Sequence, residues 1–232
     1  MYERYRNRRI LSFLSLFVGL IFVIALNSPS QILDSTKNDT KITTNTSTAI
    51  SALEKLPIKG RAPKTDYSRD KFGGEWAIIG GCSMRNIILN RDMTKVSIDD
   101  ECNVNSGILN DPYSGKIINF KRGSETSSLV QIDHVVALSD AWQKGAQTLT
   151  NEKRKELAND PLELLAVGGA VNQQKSDGDA ATWLPPNKAF RCQYVARQIA
   201  VKQKYQLWVT RAEFDAMKNI LGKCPSQTLP SK

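Results

Sequence analysis

The sequence predicts an α+β domain, and three observations carry that reading. Residues 129–136 are rich in apolar and β-branched side chains and end on Asp133-His134, as a strand does where it gives way to irregular chain. Residues 162–167 make a second short apolar run, Gly168-Gly169 follow as a tight turn, and residues 170–176 can form a helix. Beyond Pro185-Pro186, Asn187 can cap a helix through about residue 204, and Thr210-Arg211-Ala212-Glu213 is a capping-box pattern opening another, which Gly222 ends. A chain of 232 residues leaves room for one such body once its ends are set aside, since domains commonly run ~100–200 residues.

At the N-terminus, Arg8 and Arg9 abut an apolar run over residues 10–26 that is broken only by Ser12, Ser15 and Gly19. At ~1.5 Å rise per residue its helix falls just short of a ~30 Å hydrocarbon core, so residues 1–26 read as a signal peptide or a transmembrane anchor. Either one exports the remainder of the chain and leaves the basic flank in the cytoplasm. Residues 27–50 are dominated by Ser, Thr, Asn and Lys and read as a flexible tether, because few large apolar side chains are there to offset the entropy of ordering. A short helix over residues 49–56 can precede Pro57, the folded body spans residues 51–224, and residues 225–232 form a tail. Within the body, the spacing of Met84, Ile87, Ile88 and Met93 predicts a helix over residues 82–93. Turn chemistry over residues 110–115 leads into a strand over residues 116–120. After the central strand, residues 140–144 look helical and Thr150 can cap a helix through Ala158, before Pro161 interrupts regular structure.

Lys and Arg number 32 against 23 Asp and Glu, a formal net charge of +9, which favours a polyanionic partner or an anionic surface. Part of that excess is local, in Arg4, Arg6, Arg8 and Arg9. The four cysteines are an even count in an exported chain, and sequence locality pairs Cys82 with Cys102 and Cys192 with Cys224. Zinc is the competing reading, but no C-x-x-C pair is present.

The chain holds one histidine, so chemistry with an imidazole base has one candidate, His134. The neighbouring Asp133 and the more distant Asn172 offer the oxygen ligands that a hard divalent cation prefers, magnesium first and manganese second. An activated water, a positive counter to the growing charge and help for the leaving oxygen are what phosphodiester hydrolysis needs. A lone histidine at a strand end is most often a satisfied structural residue; its coupling to the Asn172 segment singles it out. Strand alternation would send Asp133 and His134 to opposite sides unless a bulge or the strand end reorients them.

Asp133-His134-Val135-Val136 followed by Asn172-x-x-Lys175-Ser176-Asp177 resembles the HNH, or ββα-metal, nuclease motif. The wider stretch, with Arg85-Asn86, Asp111-Pro112-Tyr113-x-Gly115, Ala158-Asn159-Asp160 and Trp183-Leu184-Pro185-Pro186, is similar to exported HNH proteins grouped with the C-terminal nuclease domain of GmrSD-type restriction enzymes. The resemblance implies an α+β fold built on a ββα-metal (HNH/His-Me finger) core with added helices and disulfide bracing. It also implies a divalent cation, His134 as general base, and Asp133 with Asn172 as metal ligands. One position departs from the motif: Glu163 stands where the family has an Asn that restrains the loop between the strands by donating and accepting, whereas an ionised Glu only accepts. Three readings of Glu163 stay open: it supports the loop differently, Asn159 takes that role, or activity is weakened. Lys175 reads as a surface charge or phosphate contact, Arg85 as a brace for the scissile phosphate or a partner of Asp92, and Trp183 and Trp208 as core residues before stacking platforms. The expected function is an endonuclease acting outside the cytoplasmic membrane on DNA, with RNA also open, and with little sequence preference. The alternatives are a catalytically lapsed surface DNA-binding protein and a structural envelope protein. The sequence says nothing of oligomeric state.

Overall fold

The computed structural model describes residues 48–230; the expected signal peptide or anchor and most of the tether lie outside the described residues. Helix α1 (Ala49–Leu53) opens the body with the Thr48 side chain as its cap. Thr48 bridges Thr228, and Ala49 N–H donates to Gln227 O at 2.7 Å, so residues 49–50 and 225–230 are held on the body where tether and tail were expected. Backbone pairing, invisible in composition, ties them there.

A short hairpin of β1 (Ile78–Ile79) and β2 (Cys82–Ser83) leads into helix α2 (Met84–Asp92), capped by Ser83. Three antiparallel strands follow in the order β3 (Met93–Ile98), β4 (Val104–Asn110) and β5 (Ile117–Lys121). Only the last was expected. β3 is mostly exposed and irregular in register, with Lys95 at φ 50°, and β4 carries Gly107, so neither shows clean alternation. Gly107 suits close approach: an added Cβ would lie 3.2 Å from Met93 Cε.

Strand β6 (Val130–His134) pairs antiparallel with β7 (Leu164–Gly168), placing Ile132 opposite Ala166 and His134 opposite Leu164. Between them lie helices α3 (Leu138–Gln143) and α4 (Asn151–Ala158). Strand alternation divides the pair between two cores. Val130, Ile132, Leu164 and Ala166 join Ile88 and Leu89 of α2, while Leu165 and Val167 join the larger core. Every residue of β7 is buried, which explains why it reads as a continuous apolar run.

Helix α5 (Gly169–Lys175) follows β7 directly and packs on both strands of the pair. Gly168 and Gly169 do not make the expected tight turn, and neither has positive φ. Their reason is closeness: a Cβ on Gly169 would lie 2.1 Å from Ser128 O, and one on Gly168 would lie 2.8 Å from Asp111 Oδ2.

Helices α6 (Arg191–Lys204) and α7 (Arg211–Leu221) complete the larger core. Thr210 caps α7 as expected, yet Glu213 turns inward instead of closing the capping box. There Lys144 Nζ lies 2.6 Å from Glu213, 2.7 Å from Asp140 and 2.7 Å from Asp179, while Lys202 reaches Glu213 at 3.0 Å. Arg61 closes the outer side of this buried network on Asp140 and Asp179.

Both expected disulfides are present, Cys82 to Cys102 and Cys192 to Cys224. The second joins the start of α6 to the chain just after α7. Replacing Cys192 and Cys224 with serine is expected to lower unfolding free energy by about 2–4 kcal/mol, which denaturant titration against the oxidised protein measures.

Candidate active site

His134 ends β6, and one of its ring nitrogens is committed: Nε2 lies 2.9 Å from the Ala158 carbonyl at the end of α4. A carbonyl only accepts, so Nε2 carries the proton and Nδ1 keeps the lone pair. The ring is 7% exposed and parallel to Trp76, with centroids 5.9 Å apart. Burial first, then the charges of Arg69 and Lys175, push its pKa down to about 3, against the opposing contact with Ala158. At neutral pH the site therefore presents an uncharged imidazole with a basic nitrogen.

Asp133 takes different neighbours, as alternation requires. Oδ1 accepts from Lys175 Nζ at 2.9 Å, and Oδ2 accepts from the Tyr113 hydroxyl. Burial raises the Asp133 carboxyl above its ordinary range, while Lys175 and Tyr113 pull it back down. Tyr113 is placed by the Asp111 turn, whose carboxylate also accepts from Gly168 N–H and so fastens β7 to the same corner.

Asn172 stands on α5, where Nδ2 donates to Gln131 Oε1 at 2.9 Å. That bond fixes the amide with its carbonyl oxygen as the free acceptor, for which no described residue donates. A cleft of about 590 Å³ collects Arg69, Arg85, Gln131, Asp133, His134 and Asn172. Arg85 donates to Val130 O at 3.2 Å; the alternative pairing with Asp92 is not formed, because Asp92 takes Arg91 and the Ala166 N–H.

Lys175 corrects its expected placement. It is 2% exposed and donates to Asp133 and to His134 O, so it is neither a surface charge nor a phosphate contact. It braces the end of β6 from beneath. Trp183 packs on Tyr113 and Tyr194 as a core residue, and Trp208 donates its indole N–H to Gly60 O.

Glu163 is fully buried, and its Oε2 accepts from Val136 N–H at 3.2 Å, which ties the loop after β6 to the chain before β7. Oε1 has no partner among the described residues, and burial pushes the carboxyl well above its ordinary range. That burial favours the neutral acid, which carries a donor as well as an acceptor, the pair of functions an amide has. Asn159 does different work, accepting from Ala77 N–H at 2.8 Å and so holding the segment that carries Trp76. Glu163→Gln is expected to keep stability, whereas Glu163→Ala should cost about 1–3 kcal/mol by leaving the Val136 N–H unpaired. Thermal and denaturant unfolding of the two variants checks this.

Sequence reading did not assign Tyr113, Gln131, Arg69 or Trp76 to the site. Tyr113 lies within a quoted motif and Gln131 just before another, and only the folded register shows what they touch. Arg69 and Trp76 belong to a loop-like stretch with no periodicity to flag them.

The body is mixed helix and sheet with two disulfides, and its cleft gathers an imidazole, carboxylates, side-chain amides and two guanidiniums, a set that fits the nuclease-type domain to which the family match points. The chain belongs to the family of the GmrSD restriction endonucleases, C-terminal domain, whose family model matches residues 85–220. It is also similar to a protein of Arthroderma benhamiae described as an uncharacterized secreted protein, 40% identical over 180 residues, covering 77% of this chain and 85% of that one. The two disulfides fit an extracellular location. Among the described residues no helix is long and apolar enough to cross a membrane.

Proposed function

We propose that this protein is a divalent-metal-dependent endonuclease of the HNH, ββα-metal type that hydrolyses DNA, and RNA where it meets it, outside the cytoplasmic membrane. The observation that carries the reading is the His134 tautomer: with Nε2 committed to Ala158, Nδ1 is the nitrogen able to take a proton from water.

No group of three or more His, Cys, Asp and Glu side chains placed to hold a metal ion occurs among the described residues, so a cation here needs a sparser set. The donors fit a hard ion. Asp133 has a second lone pair on each carboxylate oxygen, and Asn172 has an unpartnered carbonyl, leaving the rest of the shell to water and phosphate. Magnesium, or manganese, bound there would counter the charge that develops on the phosphate oxygens.

In the reaction His134 Nδ1 accepts a proton from a water whose oxygen forms the new bond to phosphorus. The bond from phosphorus to the leaving nucleoside oxygen breaks, that oxygen takes a proton from solvent water, and His134 returns its own proton to solvent. A phosphodiester anion bound beside the imidazole raises its basicity, and a bound cation lowers it. Arg85 supports the phosphate, Lys175 and Tyr113 orient Asp133, Gln131 orients Asn172, and Glu163 restrains the loop, all of them positioning the groups that react. In this reading contact with phosphate dominates and sequence preference is weak. Residues 51–224 serve as the endonuclease domain, delivered or anchored by residues 1–26.

The test incubates the purified protein with circular plasmid, single-stranded DNA and RNA, with magnesium, with manganese, and with a chelator. Cleavage that requires the metal supports the reading. Absence of cleavage throughout, or cleavage indifferent to chelation, overturns it.

A further inference from the structure

The cleft is not built by the family-matched residues alone. One of its walls comes from Tyr67, Arg69 and Trp76, in a stretch (58–76) that precedes the matched residues and straps across the body. Lys59 N–H donates to Val209 O, Ala62 N–H to Gln143 O, and the Trp142 indole N–H to Thr65 O. Tyr67 and Phe72 pack edge-on against Trp142 at centroid distances of 6.1 and 6.3 Å. The backbone around Arg69 is therefore fixed: it opens a 3-10 turn (Arg69–Phe72) whose Phe72 is buried and whose Lys71 carbonyl accepts from Arg154.

On that fixed backbone Arg69 is the cation that faces the main cleft without an ion-pair partner among the described residues. Arg61 is engaged with Asp140 and Asp179, Lys64 with Asp177, and Arg91 with Asp92. Arg69 makes no hydrogen bond or ion pair among the described residues, although Glu75 lines a cavity with it. That cavity, of about 140 Å³, lies beside the main cleft, and four residues border both: Arg69, Trp76, His134 and Leu138. An exposed guanidinium at this junction shares the cleft with a second cation, Arg85, and with no partner of its own. A planar five-donor group placed so is suited to a phosphate oxygen pair.

We propose that Arg69 is a substrate-binding residue that holds a phosphodiester group of the nucleic-acid chain next to the one that reacts at His134. The inference rests on the endonuclease reading above and adds a subsite outside the family-matched residues. It assigns the strap a function: residues 58–76 complete the nucleic-acid track, with Arg85 on one wall and Arg69 on another.

The experiment uses the full chain and its Arg69→Ala and Arg69→Lys variants. Cleavage is followed on an oligonucleotide carrying a single uncharged methylphosphonate at successive linkages around the cut. Binding is followed across a salt series with His134→Ala as the background. Arg69→Ala should lower kcat/KM by about ten- to a hundredfold, mainly through KM, with Arg69→Lys recovering part of the loss. The slope of log K against log salt should flatten by about one unit. One methylphosphonate position should impair the wild type and leave Arg69→Ala indifferent. Unchanged kcat/KM and salt slope in Arg69→Ala would overturn the proposal, as would a loss that is equal for every neutralised linkage. A lowered melting temperature in Arg69→Ala would also count against it, by making the arginine structural. If the wild type cleaves nothing, the endonuclease reading fails, and the salt slopes still decide whether Arg69 contacts phosphate.

Discussion

Replacing His134 with alanine removes metal-dependent cleavage by at least the ~10²–10⁴ that a general base commonly contributes, and leaves the fold intact. The loss is expected to be this large because the chain contains no other imidazole to substitute. The fold survives because the ring's one direct hydrogen bond goes to a carbonyl at a helix end. His134→Gln is the sharper control, since its amide can still donate to Ala158 O yet lacks a basic nitrogen. Single-turnover cleavage with circular dichroism on the same samples makes the measurement. Near-wild-type turnover in a folded variant would reject the assignment of the base.

The largest stability effect belongs to Lys144→Ala, which is expected to cost about 3–5 kcal/mol. Lys144 is fully buried and faces Asp140, Asp179 and Glu213 at once, so its removal strands carboxylates away from water. Pairing Lys144→Met with Glu213→Gln should recover part of the loss by removing one stranded charge, and denaturant midpoints of the single and double variants read the coupling. Acid acts on the same network. Burial alone would raise the Asp179 carboxyl, but Lys144 and Arg61 outweigh it and hold it down at about 2. A folded pKa below the ordinary 3.8 favours the ionised folded state, so this stabilisation is complete above about pH 4 and is lost as pH falls toward 2. Acid unfolding monitored across that window should show the loss, and Lys144→Ala should blunt it.

Much of the candidate site was legible in the sequence because its main groups sit in short, dense motifs. Asp133, His134 and Asn172 were placed by one strand, one later strand and one helix, and the register of β6 with β7 brings them to a common cleft. What escaped was set by distance in sequence. The hydroxyl that orients Asp133 comes from Tyr113, and the ring beside His134 comes from Trp76, each reached only through the fold. Lys175 shows a different failure: three positions past Asn172 on one helix, a lysine looks like a neighbour in the same cleft, yet the short helix seats it under the strand end. In the fold, β3 and β4 were missed because an exposed strand with irregular register and a strand interrupted by glycine lack the alternation that sequence patterns rely on. Glu163 was readable as a departure but not as a solution, since its protonation depends on burial that composition does not reveal.

The pairing of Thr48 with Thr228 has a consequence for engineering and for ancestry. A body whose two margins meet can be handled as a cassette: it can be spliced into a surface loop of another protein without stretching either junction. By the same logic the margins can be joined and the chain reopened elsewhere, for instance in the exposed turn at Gly123-Ser124, with the β6–β7 register and the cleft left as they are. Order along the chain is thus separable from the arrangement that gathers His134, Asp133 and Asn172, and a rearranged gene could carry the same site.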